Sequence, residues 1–198
     1  MLSKIIARVT LKSMSPLTWS QPYDDPPLEG ESAADRDKRL WRKHLYVVNG
    51  NAGLKATAIH KCLAAAAKYS GKKITGRGAK TWTAKFEGGL ALFDDIDLGI
   101  PEDEVQCLSL FMNLDGRRGG SVRGIRHFPN VKSWETTFDI VILDPEITEA
   151  IFREMVEIAG LFIGVGQYRP ERGGNNGRFE MTKLEWIADR AEVQQRAA

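Results

Sequence analysis

The chain of 198 residues has little cysteine and no long apolar run. Its two cysteines, Cys62 and Cys107, each lie inside an apolar segment, and we expect no signal peptide. Two isolated thiols do not form a disulfide framework, and no run approaches the length of a membrane span. We therefore expect a cytoplasmic protein with reduced thiols and no membrane partner.

Motifs of several enzyme classes are also missing. The sequence has no P-loop, no GxSxG elbow, no HExxH and no paired CxxC. Acidic residues are dense at 94–97 and 102–104, but they lack the spacing of an EF-hand and have no histidine nearby. We interpret them as an acidic surface and expect neither a metal nor a cofactor.

No linker rich in Ser, Gly or Pro divides the chain, which predicts a single domain over residues 1–198. Residues 20–38 are rich in proline and acids and are expected to form a long surface connection. The net charge is only +2, but the charges are unevenly distributed. Segments 72–85 and 117–132 contain no acid, which predicts a basic face and a separate acidic face.

Hydrophobic periodicity predicts an α+β fold. The predicted order is strand, helix, strand, strand, helix, strand, over residues 3–17, 51–71, 104–114, 135–144, 144–160 and 178–186. This order is that of the ferredoxin-like, RRM-like antiparallel sheet with two helices on one face. Long basic insertions are expected at about 72–103 and 114–134.

Local signals set the ends of the two helices. Gly71 is expected to stop the first helix, on which Leu54, Ile59 and Tyr69 share the apolar face. For the second helix, Asp144 is the candidate N-cap and Gly160 the candidate C-terminal cap.

The stretch after the second helix, "GLFIGVGQYRPERGGNNGRFEMTKLEW" (160–186), is dense in glycine and arginine. Glycines let main-chain N–H groups approach phosphates, arginines add charge-assisted contacts, and a tyrosine can stack on a base. The alternative is an ordinary connection whose glycines satisfy positive φ angles. The RNA-binding candidates in this loop are Gly164, Gly166, Tyr168, Arg169, Arg172, Gly173, Gly174, Gly177 and Arg178.

The segment "VTLKSMSPLTWS" on the first strand, the loop "GVGQYRPERGGNNGRF" and the strand order together resemble the CRISPR-associated RAMP superfamily. The resemblance implies an RRM-like fold and, by its basic insertions, a structural subunit that coats a guide RNA. It also implies copies of the chain itself and other CRISPR-type subunits as partners. The chain is short for such a backbone subunit, and a solitary or virus-borne member is an open alternative.

Two basic segments supply further RNA-binding candidates. In the first, Trp82 is expected to stack on a base between lysines, and in the second glycine alternates with arginine. The alternatives are solvated loop tips and an aromatic side chain that anchors a loop. The candidates are Lys72, Lys73, Arg77, Lys80, Trp82 and Lys85, then Arg117, Arg118, Arg123 and Arg126.

Two other functions remain open. A metal-independent endoribonuclease that processes guide RNA needs an imidazole and a cation beside the phosphate, for which His127 next to Arg126, or His60, is the candidate. A viral decoy would instead bind CRISPR effector proteins without needing Arg117, Arg118 or Arg169.

Overall fold

The structure is a computed structural model that describes residues 5–113 and 123–188. Its strands are β1 (Ile5–Ser13), β2 (Leu17–Thr18), β3 (Val47–Val48), β4 (Asn51–Leu54), β5 (Leu90–Ala91), β6 (Ile96–Pro101), β7 (Gln106–Asn113), β8 (Arg123–Val131), β9 (Glu135–Ile142) and β10 (Phe179–Ala188). Its helices are α1 (Ala33–Leu40), α2 (Ala56–Ser70), α3 (Thr83–Gly88) and α4 (Glu149–Ile158). No helix in these ranges combines the length and apolar character needed to cross a bilayer.

The main sheet has four antiparallel strands in the order β10-β1-β9-β5. With α2 and α4 as the two crossover helices, this is the ferredoxin-like arrangement, so the predicted fold class is confirmed. Alternation along β1 buries Ala7, Val9 and Leu11, as the sequence predicted. These side chains form one core with Ile59 of α2 and Phe152 of α4, so both helices cover the same face.

The second strand of the main sheet was assigned to the wrong segment. Residues 104–114 form β7, which pairs with β8 in a separate sheet of order β2-β8-β7. The strand that completes the main sheet is β5, whose Leu90 and Ala91 pair with Ile142 and Val141 of β9. Two residues carry no alternation pattern, so the sequence gives no signal for this strand.

The first helix is shorter than predicted at its start. Residues 51–54 form β4, which pairs with β3 and β6. The predicted stop is confirmed, because Gly71 has the left-handed conformation (φ 59°) that caps α2. Tyr69 was predicted to be on the buried face but is 61% exposed.

The cap predictions for the second helix are wrong at both ends. Thr148, not Asp144, caps α4 by accepting a hydrogen bond from the Ile151 N–H (3.4 Å). The helix does not end at Gly160, because a π-helical turn over Ala159–Ile163 continues it to Gly164. Gly160 packs under β10, where a Cβ atom would lie 2.0 Å from the Phe179 carbonyl oxygen.

Residues 20–38 are not a simple surface connection. They lead into α1, on which Asp37 is buried. The Asp37 carboxylate accepts hydrogen bonds from Arg126 Nε (2.8 Å) and from the backbone N–H of His127 (2.6 Å). This contact ties α1 to β8.

Candidate nucleic-acid interface

A groove of about 500 Å³ separates the start of α2 from the glycine-rich loop after α4. Trp19 and Tyr46 form part of its wall, and the Trp19 indole is held by a hydrogen bond from Nε1 to the Gly53 carbonyl oxygen (2.8 Å). The charged residues that line it are Lys55, Lys61, Arg169, Glu171 and Arg172. Four cations therefore surround the groove against one carboxylate.

The charge of this groove is largely uncompensated. Arg169 pairs with Glu171, with its Nη2 atom 2.8 Å from Oε2. Among the described residues, Lys55, Lys61 and Arg172 have no carboxylate oxygen within 4 Å. Lys61 and Arg172 are therefore exposed cations without an ion-pair partner, a property that attracts phosphates, whereas the Asp95 carboxylate lies in electrostatic range of Lys55.

Lys55 stands at the N-cap of α2, where its side chain makes no capping hydrogen bond. The Asp95 carboxylate offsets the positive charge at this end of the helix, because it accepts a hydrogen bond from the Ala56 N–H (2.7 Å) and lies in electrostatic range of Lys55. The Lys55 Nζ atom lies 4.8 Å from the centre of the Tyr46 ring, a cation–π contact. Lys55 therefore contributes a cation to the groove wall beside the Tyr46 ring.

The glycines of the loop mainly serve its own fold. Gly177 has φ 72°, and a Cβ atom there would lie 1.8 Å from the Val165 carbonyl oxygen. The N–H of Val165 donates to the Gly177 carbonyl (3.0 Å), and the N–H of Gly177 donates to Pro16 (2.7 Å). The loop thereby closes on itself and on the chain between β1 and β2.

Four of the predicted phosphate-binding glycines have N–H groups that already donate to protein carbonyls. They are Gly164, Gly173, Gly174 and Gly177, which donate to Ala159, Pro170, Arg169 and Pro16. For these four, the interpretation as an ordinary connection fits, and the predicted contact from the N–H to a phosphate does not. Gly166 lines the groove.

Of the loop side chains predicted to bind RNA, Tyr168 packs within the protein, whereas Arg178 keeps its charge. The Tyr168 hydroxyl contacts Met112 Sδ (2.9 Å), and its ring packs edge-on against Phe128 with centroids 5.6 Å apart. Burial raises the pKa of Tyr168, in keeping with a packing role. Arg178 donates to Asn175 Oδ1 (2.9 Å) and to the Leu161 carbonyl, both neutral acceptors, so its charge is retained.

The basic segment 72–85 packs against acids, which makes the predicted separation of a basic from an acidic face wrong here. Arg77 pairs with Glu146 (2.5 Å), and Lys85 with Asp144 (2.7 Å) and Glu146 (3.2 Å). Lys72 pairs with Glu154 of α4.

The remaining RNA-binding candidates of segment 72–85 are Lys73, Lys80 and Trp82, and none of them pairs with an acid in the described part of the chain. Lys73 and Lys80 are exposed and have no carboxylate within 4 Å in the described part of the chain. Trp82 is buried in the core, 7% exposed, so its predicted stacking on a base is wrong. Because the aromatic residue expected to stack on a base is buried, segment 72–85 is a weaker candidate for RNA binding than the groove.

The second basic arm is only partly described. Arg117 and Arg118 lie outside the described residues. Arg123 is exposed, with its guanidinium 4.9 Å from the centre of the Phe111 ring. Arg126 is paired with Asp37 and packs over Phe128, so its charge is compensated.

The predicted cleavage pair does not assemble. His127 Nδ1 lies 2.9 Å from Ser109 Oγ on the neighbouring strand. Arg126 alternates to the opposite face of β8 and binds Asp37. His60 is half-buried on α2. His127 and Arg126 therefore do not face one phosphate.

The open face of the main sheet lacks a base-stacking platform. Arg8 pairs with Asp139 through two bonds of 2.8 and 2.9 Å, and Lys183 pairs with Glu185 (2.6 Å). The register places no aromatic residue at the outward positions of β1 and at their partners on β9 and β10. RRM-type binding of single-stranded RNA uses such aromatics on the sheet face, so this face of the main sheet is not a candidate RNA-binding surface.

No family model and no curated protein matches the sequence. A solved chain from a cryo-EM structure of the type III-B Cmr-beta bound to cognate target RNA is 16% identical, with a TM-score of 0.51 over 94% of this chain. The chain shares the fold of a Cmr-beta chain. It spans 62% of that chain's length. The predicted resemblance to CRISPR-associated RAMP proteins is thus confirmed at the level of fold.

A second solved structure, Cmr6 from Pyrococcus furiosus, is 17% identical. The match covers 91% of this chain and 100% of that chain, with a TM-score of 0.49.

Lys55 and Lys61 were missed by the sequence reasoning, which treated α2 as a core helix only. Lys55 is the N-cap of α2 and Lys61 lies in its second turn, and the first turn contains no acid. Acids are the favoured residues in that first turn. The absence of acids at the start of α2 was therefore a feature of the sequence that could have pointed to Lys55 and Lys61.

Proposed function

We propose that this chain binds single-stranded RNA in the groove between α2 and the glycine-rich loop, as a structural subunit of a CRISPR-type ribonucleoprotein. The observation that carries the proposal is the pair of exposed, unpaired cations Lys61 and Arg172 around one groove, with Lys55 beside them. The shared fold with a chain of the Cmr-beta complex, which was solved with target RNA, supports the choice of ligand. A guide RNA, other CRISPR-type subunits and further copies of this chain are the proposed partners.

The chemistry of the groove suits a phosphate backbone. Ammonium and guanidinium groups neutralise phosphates and release counterions without reading the base sequence. The groove side chains Lys61 and Arg172 stand on different elements, α2 and the loop, so a strand between them contacts both walls. The binding we expect is therefore tolerant of sequence and strongly dependent on salt.

The test is the affinity of the purified protein for a labelled single-stranded RNA, measured by fluorescence anisotropy over a salt series. The double variant Lys61→Gln/Arg172→Gln should bind at least about tenfold more weakly. The slope of log K against log salt should fall in magnitude by about 1.4, because each lost contact to a single strand removes about 0.7.

The matched control is Lys72→Gln/Arg77→Gln, which removes two cations that are already paired with acids. It should leave the affinity and the slope near those of the wild type. Equal losses in both variants, or none in the groove variant, would contradict the proposed site. A wild-type chain that binds CRISPR effector proteins but no RNA would support the decoy instead.

A further inference from the structure

Two aromatic side chains are exposed together at the far end of α2. The rings of Tyr69 and Phe162 are stacked, with centroids 5.3 Å apart and planes at 18°. Tyr69 is 61% exposed and Phe162 is 48% exposed. Leaving two large aromatic faces in water forgoes the stabilisation that their burial in the core would give.

The backbone near this pair is unusual. Phe162 lies in the π-helical turn Ala159–Ile163, and such turns are rare and frequent at functional sites. The following residues, Ile163 and Gly164, line the groove. The pair is thus continuous with the groove along the chain.

The same continuity holds along α2. Lys61 lines the groove and precedes Tyr69 by eight residues, which corresponds to about 12 Å along the helix axis. An extended single strand that leaves the groove at Lys61 and follows α2 therefore reaches Tyr69 within a short distance.

Cations accompany the pair. Lys68 is exposed beside Tyr69 in sequence, with no carboxylate within 4 Å in the described residues. Arg178 donates to the carbonyl of Leu161, the residue before Phe162, and keeps its charge. An aromatic surface flanked by positive charge is complementary to a nucleotide, which presents a flat ring and a phosphate.

We propose that the Tyr69–Phe162 pair stacks a base of the single-stranded RNA whose backbone lies in the groove. This inference rests on the proposed function and adds a second, non-electrostatic element to it. Two nearly parallel rings extend readily by a third, because offset stacking is a favoured arrangement of aromatic groups. Stacking tolerates any base, so the pair increases affinity without sequence preference.

The test uses the full chain and a uridine oligonucleotide that carries one 2-aminopurine. In the wild type, stacking should quench the 2-aminopurine fluorescence at one position of the probe along the strand. In Tyr69→Leu/Phe162→Leu the quenching should be lost and the affinity should fall roughly 5- to 100-fold. The salt slope should stay unchanged, because no cation is removed.

Two further variants control the result. Phe93→Leu removes a 78% exposed aromatic elsewhere and should bind as the wild type does. Tyr69→Trp/Phe162→Trp keeps two aromatic rings and should retain the quenching.

The outcomes separate the two proposals. Unchanged affinity and quenching in the leucine variant, with a wild type that still depends on Lys61 and Arg172, would overturn the stacking inference alone. A wild type that binds no RNA would overturn the proposed function and the inference with it.

Discussion

The segment 72–85 and the loop 164–178 are both rich in glycine and in cations, yet the structure uses them differently. In the segment, Lys72, Arg77 and Lys85 pair with acids that precede or belong to α4. In the loop, Arg169 pairs with its neighbour Glu171, but Arg172 and Arg178 have no carboxylate partner among the described residues. The difference lies in what each stretch packs against.

Composition alone therefore does not identify an RNA-binding surface. A cation contributes to phosphate binding only where the fold leaves its charge uncompensated, and pairing is decided by tertiary contacts. The loop packs against the start of α2, which brings Lys55 and Lys61 to its side, whereas the segment meets Asp144 and Glu146. Three predictions address this contrast.

The largest expected effect concerns the glycines of the two regions. Gly177→Ala combines a positive φ with a Cβ atom 1.8 Å from a carbonyl oxygen, so we expect a loss of about 2–5 kcal/mol in the free energy of unfolding. Gly76→Ala meets nothing within 4 Å and strains only its φ of 76°, which predicts a loss of about 1–2 kcal/mol. Urea unfolding of both variants measures the difference, and equal losses would contradict the account of the loop.

A smaller effect comes from releasing one paired arginine in each region. Glu171→Gln frees Arg169 in the groove and should raise RNA affinity about twofold to fivefold at low salt. Glu146→Gln removes the carboxylate partner of Arg77 and one of the two partners of Lys85 in the segment, and it should leave affinity unchanged. Anisotropy titrations compare the two, and a rise with Glu146→Gln would place RNA on the segment.

The third effect is the pH dependence of the ion pair between Lys85 and Asp144, which attaches the segment to the chain before α4. Burial acts to raise the pKa of Asp144, but hydrogen bonds from Lys85 and from the Glu146 N–H outweigh it and hold that pKa below its ordinary value of 3.8. The pair therefore stabilises the fold above pH 3.8, and this stabilisation is lost as the pH falls through the lowered pKa.

Lys85→Met should accordingly lower stability by about 1 kcal/mol near neutral pH, with the difference from wild type narrowing in acid. Lys80→Met, at an exposed and unpaired position, is the control. Thermal unfolding over a pH series measures both. A constant difference at all pH values would show that the ion pair is not the cause.

The fold was predictable where one face of a strand is buried. Alternation in β1, β9 and β10 follows directly from a sheet with helices on one side, and Gly71 marks the end of α2. The strand β5 was not predictable because two residues cannot show a period. The N-cap of α4 at Thr148 was not predicted, because Asp144 followed by Pro145 has the sequence pattern of a helix start.

The candidate site was predictable only in part. The glycine-rich loop stands out in the sequence, and its Arg169 and Arg172 do line the groove. The opposite wall of the groove comes from Lys55 and Lys61, which precede the loop by about 110 residues in the sequence. No local sequence pattern indicates that these lysines and the loop lie together. The pairing of the half-buried Arg126 with the buried Asp37 is equally non-local.

The most direct measurement of the central claim is photo-crosslinking of the intact protein to single-stranded RNA that carries 4-thiouridine, followed by mass spectrometry of the crosslinked peptides. The account predicts crosslinks in peptides from residues 55–61 and 163–172, the two walls of the groove. Crosslinks confined to residues 72–85 would contradict it.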